Sequence, residues 1–264
     1  MAFLTPLLTR RGAGLLGTWR IWRDTLRFAG RAIVFACAPS AYNSATRDVV
    51  MKQIYFTAWQ ILPLFTLFAA LLSYMLIQIV VSTAAQFGYS EYALELSVRM
   101  LVLEILPLLT ALFVALRSSS AINTEVALMK IQGEIEALED AGVDTLRLEF
   151  MPRVIGGVVS VLALVTVSSA LTLVLAYVAV YGPQPWSLPD FSRVMAKVFD
   201  AQIMLGLLLK TLAFGLAVTV IPVAEGLATP RKLFMAPVSV LRGMVRLFFV
   251  LMLIEMLSLA YKYT

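Results

Sequence analysis

Histidine is absent from the 264 residues, and Cys37 is the only cysteine. These two absences exclude intrachain disulfides, zinc sites built on Cys/His clusters and histidine-based acid/base catalysis. No metal and no cofactor is expected. Charge is scarce as well. Only 14% of the residues are charged and 61% are hydrophobic, whereas an ordinary soluble domain is about a quarter charged. With a mean hydropathy of +0.89, bilayer is a better solvent for this surface than water. Repeats of the soluble solenoid type are not visible. The phosphate-binding Gly-x-x-x-x-Gly-Lys-Ser/Thr loop is also missing, so the chain is not expected to hydrolyse ATP in the usual way. In the first 50 residues no short apolar stretch ends in a small-residue cleavage site, so no signal peptide is expected.

The charge that is present has a pattern. The formal net charge is +5, but the basic residues flank apolar segments and do not form one solvated face. That arrangement suits anionic lipid headgroups and not nucleic acid. Arg10, Arg11, Arg20, Arg23, Arg27 and Arg31 alternate with Leu15, Leu16, Trp19, Trp22, Leu26 and Phe28. Within residues 1–50 this predicts an amphipathic helix lying in the headgroup layer. A span needs roughly 20 mainly apolar residues. On that measure five spans are predicted, over 54–86, 94–116, 154–181, 203–223 and 247–260. The whole chain, 1–264, then reads as one all-α transmembrane domain. Arginine and lysine crowd the N-terminal region and the connection after the fourth span, so the positive-inside rule puts the N-terminus in the cytoplasm.

Ionisable groups inside a bilayer are costly and usually face a cavity or a partner. Glu104 is the deepest such residue of the second span, and a helix would align it with Ser97, Leu101, Leu108 and Ala111 on one face. That face would line a passage if the span borders one. The other reading is a structural pair of Glu104 with Lys210 or Arg99. Glu95 and Arg99, four apart, are expected to pair locally. Lys210 and Glu255 are both within spans and could pair with each other.

Between the second and third spans, Leu128, Ile131, Ile135 and Leu138 make one apolar stripe at helical spacing over 124–141. Glu134, Glu136, Glu139 and Asp140 cover the rest, and Gly142 stands where a helix stop is expected. Such a helix could present its stripe to a second protein or pack it against its own spans.

The run Glu125-Val-Ala-Leu-Met129-Lys130, continued by Glu134-Ile-Glu-Ala-Leu-Glu-Asp-Ala-Gly142-Val143-Asp144, resembles the coupling-helix signature of the MlaE/YrbE family. These are permeases of MCE-type ABC transporters, named for maintenance of lipid asymmetry. Pro152-Arg153-Val154, Glu104-Ile-Leu-Pro107 and Leu209-Lys210-Thr-Leu-Ala-Phe-Gly215 are similar to further family segments, so the likeness covers nearly the whole chain. The sequence departs from the pattern at Leu103, Leu106, the Leu116–Ser120 stretch and Pro237-Val238-Ser239.

The resemblance implies a non-catalytic permease subunit, a homodimer in the bacterial inner membrane that moves phospholipid between that membrane and the outer envelope. Glu104 would sit near a lipid pocket between two copies. A separate cytoplasmic ABC ATPase would dock on the coupling helix, through Glu125, Leu128, Met129, Lys130, Ile131, Glu134, Ile135, Glu136, Leu138 and Gly142. A periplasmic hexameric ring of MCE domains and a small STAS-domain subunit would complete the assembly. The alternatives are a permease of another ABC class, exporting drugs or heme, and a membrane-embedded lipid enzyme.

Overall fold

The computed structural model describes residues 22–23, 25–35, 44–89 and 92–263. Arg10, Arg11, Leu15, Leu16, Trp19, Arg20 and Cys37 lie outside them. The described residues are helical, with no strand among them. Five helical stretches are long and apolar enough to cross a membrane: Thr46–Gln86, Ala93–Gln132, Leu146–Tyr181, Ala201–Leu227 and Met235–Lys262. They follow the predicted order, and the chain is a multi-pass α-helical membrane protein.

In chain order the elements are α1 (25–35), α2 (Ser44–Ile54), α3 (Leu62–Gln86), α4 (Ala93–Met100) and α5 (Leu106–Val114). Next come α6 (Ser120–Gln132), α7 (Glu134–Asp140), α8 (Met151–Tyr181), α9 (Leu188–Val198), α10 (Ala201–Leu227) and α11 (Met235–Tyr263). Because successive spans alternate in direction, the bundle has two ends. One carries α1, α6 and α7; the other carries Gly88 and α9.

The second span is the central one. Its most apolar stretch is 56% buried, against 22% for the first and fifth spans, which turn residues such as Leu64, Leu67, Leu71, Met75, Leu253 and Leu257 outward toward lipid. Phe65, Leu101, Leu106, Leu164, Phe214 and Leu247 fill the main core. A second apolar cluster, with Phe28, Ile122, Val126, Phe150, Val154 and Val223, lies at the α7 end. Small residues let the helices come close. A Cβ on Gly157 would stand 2.1 Å from Thr219 Cγ2, and one on Gly215 would stand 3.0 Å from the Val158 Cα.

Three features differ from the sequence reading. The second helix does not stop at Leu116. No glycine or proline interrupts residues 117–132, so α6 continues the span, joined to α5 by a wide π-type turn over Ala115–Ser119. The fifth helix begins at Met235 and takes in Arg242 and Arg246, because the carboxylate of Glu225 on α10 lies 3.5 and 2.6 Å from them. Finally, α9 is a helix in what reads as a loop, and Phe191, Val194 and Met195 on it pack against the main core.

Candidate functional site

Lys210 lies about nine residues into α10, roughly 14 Å along its axis, and is buried. Its ammonium is 2.5 Å from Glu104 Oε2 and 2.9 and 2.8 Å from the two carboxylate oxygens of Glu255 on α11. Lys262, near the end of α11, places its Nζ 2.7 Å from Glu104 Oε1. Two cations and two anions thus form one formally neutral chain of ion pairs across three helices. Low dielectric makes any unpaired member costly, which explains why the four occur together.

Backbone geometry contributes to the cluster. Glu104 lies in a π-type turn, Leu101–Ile105, immediately before α5, a distortion often found at functional positions. Pro107 follows in the first turn of α5. Its nitrogen carries no hydrogen for the carbonyl four residues back, and that carbonyl, on Leu103, accepts a bond from Lys210 Nζ at 3.2 Å. The same arrangement recurs on α10. Pro222 lies inside that helix, and the Val218 carbonyl, four residues before it, accepts the Ser119 hydroxyl at 2.5 Å.

A cavity of about 340 Å3 opens beside the cluster, with Leu103, Glu104, Ile203, Lys210, Tyr261 and Lys262 in its wall. Arg99 also borders it; this arginine pairs with Glu95 at 2.9 Å and donates to the Lys197 carbonyl at 3.3 Å. Of the five residues that share a face on the second span, Glu104 reaches this cavity. Ser97, Leu101 and Ala111 are fully buried in the core, with the Ser97 hydroxyl on the Ala93 carbonyl at 2.7 Å, and Leu108 is half-buried against the main cluster. The sequence left the Glu104–Lys210 and Lys210–Glu255 pairings open, and the structure makes both. Lys262 was missed because it lies beyond the last predicted span, although its spacing of seven from Glu255 places both on one helix face.

At the opposite end, the stretch 124–141 is two helices. Gly133 adopts φ +79°, a left-handed conformation that ends α6 and starts α7. Gly142, also at φ +79°, closes α7: its N–H bonds the Glu139 carbonyl, and that of Val143 bonds the Leu138 carbonyl. The apolar stripe is consequently divided. Ile135 is buried in the second cluster and Met129 packs on it; Leu128 and Ile131 are half-buried, while Leu138 and Glu134 are exposed.

Charged residues pin this end from several sides. Arg153, buried at the start of α8, pairs with Glu125 at 2.9 Å and with Glu149. Glu136 pairs with Lys130, and with Arg231 at 2.7 Å. Hydrogen bonds from these two cations lower its carboxyl from an ordinary 4.5 to about 2. Glu225 is 1% exposed between Arg242 and Arg246. Beside it, the Ser239 hydroxyl joins Asn123 on α6 at 3.0 Å and Thr229 at 2.7 Å. Glu225 was missed by the sequence reading, which ended the fourth span at Val223.

A family model described as Permease MlaE matches residues 50–260, and so takes in Glu104, Lys210, Glu225 and Glu255. A protein of Rickettsia typhi, described as a probable ABC transporter permease, is 25% identical over 175 residues, which are 60% of this chain and 63% of the relative. The match thus spans less than two thirds of that relative's length. Since the family model covers four fifths of the sequence and reaches all five long helices, the chain belongs to the MlaE permease family.

Proposed function

We propose that the chain is the permease subunit of an MCE-type ABC transporter that moves phospholipid or a related lipid between the bacterial inner membrane and the outer envelope. In this reading it is a transport subunit and not an enzyme. It works as a homodimer with its N-terminus in the cytoplasm. ATP hydrolysis comes from a separate cytoplasmic ATPase docked on α6 and α7, the lipid passes to a periplasmic MCE ring, and a small STAS-domain subunit accompanies the ATPase.

The observation that carries this reading is one helical path. From Glu104 the second span runs through α5 and α6 to Gln132 with no break among its residues, about 28 residues or roughly 42 Å. A push on α6 and α7 by a closing ATPase would therefore reach Glu104 along a single rod. There it would change how Lys210 is shared between Glu104 and Glu255, which are on different helices. A two-state element biased by nucleotide needs such a link. The cavity supports a lipid substrate: charged groups on its wall suit a headgroup, and the apolar helix faces around it suit acyl chains. Arginine and lysine on Arg27, Arg31, Lys130, Arg147, Arg153, Arg231 and Arg246 gather at the α7 end, which supports placing that end in the cytoplasm.

The test is purification from native membranes in mild detergent, with bound proteins and lipids identified by mass spectrometry. An ABC ATPase, an MCE protein and phospholipid are expected to co-purify. Glu134→Lys combined with Leu138→Asp, both exposed positions, should release the ATPase while the chain stays folded. Retention of the ATPase by that variant would refute docking at α7. ATP turnover by the chain alone would overturn the permease assignment.

A further inference from the structure

A second cavity, of about 420 Å3, lies at the α7 end, between α1, the approach to α8 and the last turn of α10. Phe28, Leu146, Leu227 and Ala228 form its apolar wall, and Arg27 and Arg31 stand on it from α1. The two arginines are four residues apart, on one helix face. Both are exposed, and neither has an ion-pair partner among the described residues.

α1 is fixed in place over this cavity. Phe28 and Ala32 are buried in the second cluster, and the Arg246 guanidinium stands 5.4 Å from the centre of the Trp22 ring. The side of α1 turned away from that cluster exposes Leu26, Ile33 and Val34. A helix with apolar residues outward, arginines beside them and an adjacent tryptophan sits at the boundary of headgroups and acyl chains. The cavity therefore opens at headgroup depth, with two guanidinium forks above an apolar wall. Guanidinium groups match the oxygens of a phosphate diester in shape and charge, and the apolar wall matches the first methylenes of a chain.

We propose that this cavity binds an anionic phospholipid of the adjacent leaflet, its phosphate held by Arg27 and Arg31 and one acyl chain running against Phe28 and Leu227. The lipid is a resident ligand, separate from the Lys210 cavity at the other end of the bundle, and its binding does not depend on the transport reading. A free phosphate would satisfy the arginines but leave the apolar wall uncovered.

The experiment uses the full chain, delipidated in detergent, titrated with dioleoylphosphatidylglycerol, dioleoylphosphatidylcholine or inorganic phosphate and read by native mass spectrometry. One tightly held phosphatidylglycerol per chain is expected, with weaker phosphatidylcholine and no displacement by millimolar phosphate. Arg27→Ala with Arg31→Ala should weaken that lipid on the order of thirtyfold, from roughly a fivefold step per arginine near a charged surface. Arg27→Lys with Arg31→Lys should keep most of it, and Lys210→Met should leave it in place. Unchanged phosphatidylglycerol affinity in the alanine pair, equal affinity for phosphatidylcholine, or displacement by phosphate would each overturn the proposal.

Discussion

Replacing Lys210 by methionine tests whether the four-charge cluster is a single electrostatic unit. Methionine keeps the length of the side chain and removes the ammonium. Glu104 would retain Lys262 at 2.7 Å, but Glu255 is buried and Lys210 is its one ion-pair partner among the described residues. Removing one partner of a buried pair typically costs about 3–5 kcal/mol, and Glu104's second partner places this case at the lower end, about 3 kcal/mol. For a chain of this size that corresponds to a fall of roughly 6–12 °C in the melting temperature. The second substitution makes the test decisive. Adding Glu255→Gln to Lys210→Met removes the stranded charge and should restore most of the loss, whereas Glu255→Gln alone should cost little, because Lys210 keeps Glu104 and the Leu103 carbonyl. Thermal unfolding followed by tryptophan fluorescence in detergent gives the coupling energy of the cycle. A Lys210→Met protein that melts within a degree of the parent, or a double variant no more stable than that single one, would refute the reasoning.

Three further outcomes follow from the packing and charge at other positions. Ser119→Ala leaves the Val218 carbonyl without a donor and should cost about 1–3 kcal/mol; in a Pro222→Ala background, where the backbone regains its own N–H, that cost should nearly vanish, as melting temperatures of the four proteins will show. Gly157→Ala drives a Cβ into Thr219 Cγ2 and should destabilise by about 1–3 kcal/mol. Thr219→Ala should relieve it, and an additive pair of melting shifts would contradict the close approach. Glu136, lowered from 4.5 to about 2, stabilises the hold of α7 on Lys130 and Arg231. That contribution is fully present above about 4.5 and is lost as pH falls through about 2. Hydrogen exchange over 134–140 should therefore separate parent from Glu136→Gln at pH 5 and converge toward pH 2; a gap that closes already at pH 4 would contradict the assigned pairing.

The existence and order of the spans were legible because each is a run of apolar residues long enough to cross a bilayer, a property of local composition alone. The pairings of Lys210 with Glu104 and Glu255 were foreseen as options, but the other charges that were misplaced each needed a partner from another helix. Hydropathy treats Arg242 and Arg246 as costs and starts the last span after them, but Glu225 on α10 neutralises them inside the helix. Lys262 looks like a terminal charge until α11 brings it to Glu104. α9 was hidden by Pro183, Pro185 and Pro189 and by its position between two spans, although Leu188, Phe191, Met195 and Val198 have helical spacing. Gly133 stood within a sequence that otherwise reads as one helix, and only its left-handed backbone shows that α6 and α7 part there.

The two prolines explain how polar groups can be placed at depth without breaking the spans. Pro107 and Pro222 each withdraw one N–H from a helix, and each carbonyl left behind, on Leu103 and Val218, is taken by a side chain of a neighbouring span, Lys210 or Ser119. Each bond joins the second span to α10. One lies at the charged cavity and the other at Ser119, just before α6, so this pair of helices is bonded at the start and near the middle of the path from Glu104 to the α7 end. A tilt of the second span alone would strip both carbonyls of their donors, at about 1–3 kcal/mol each. The two helices should accordingly move together.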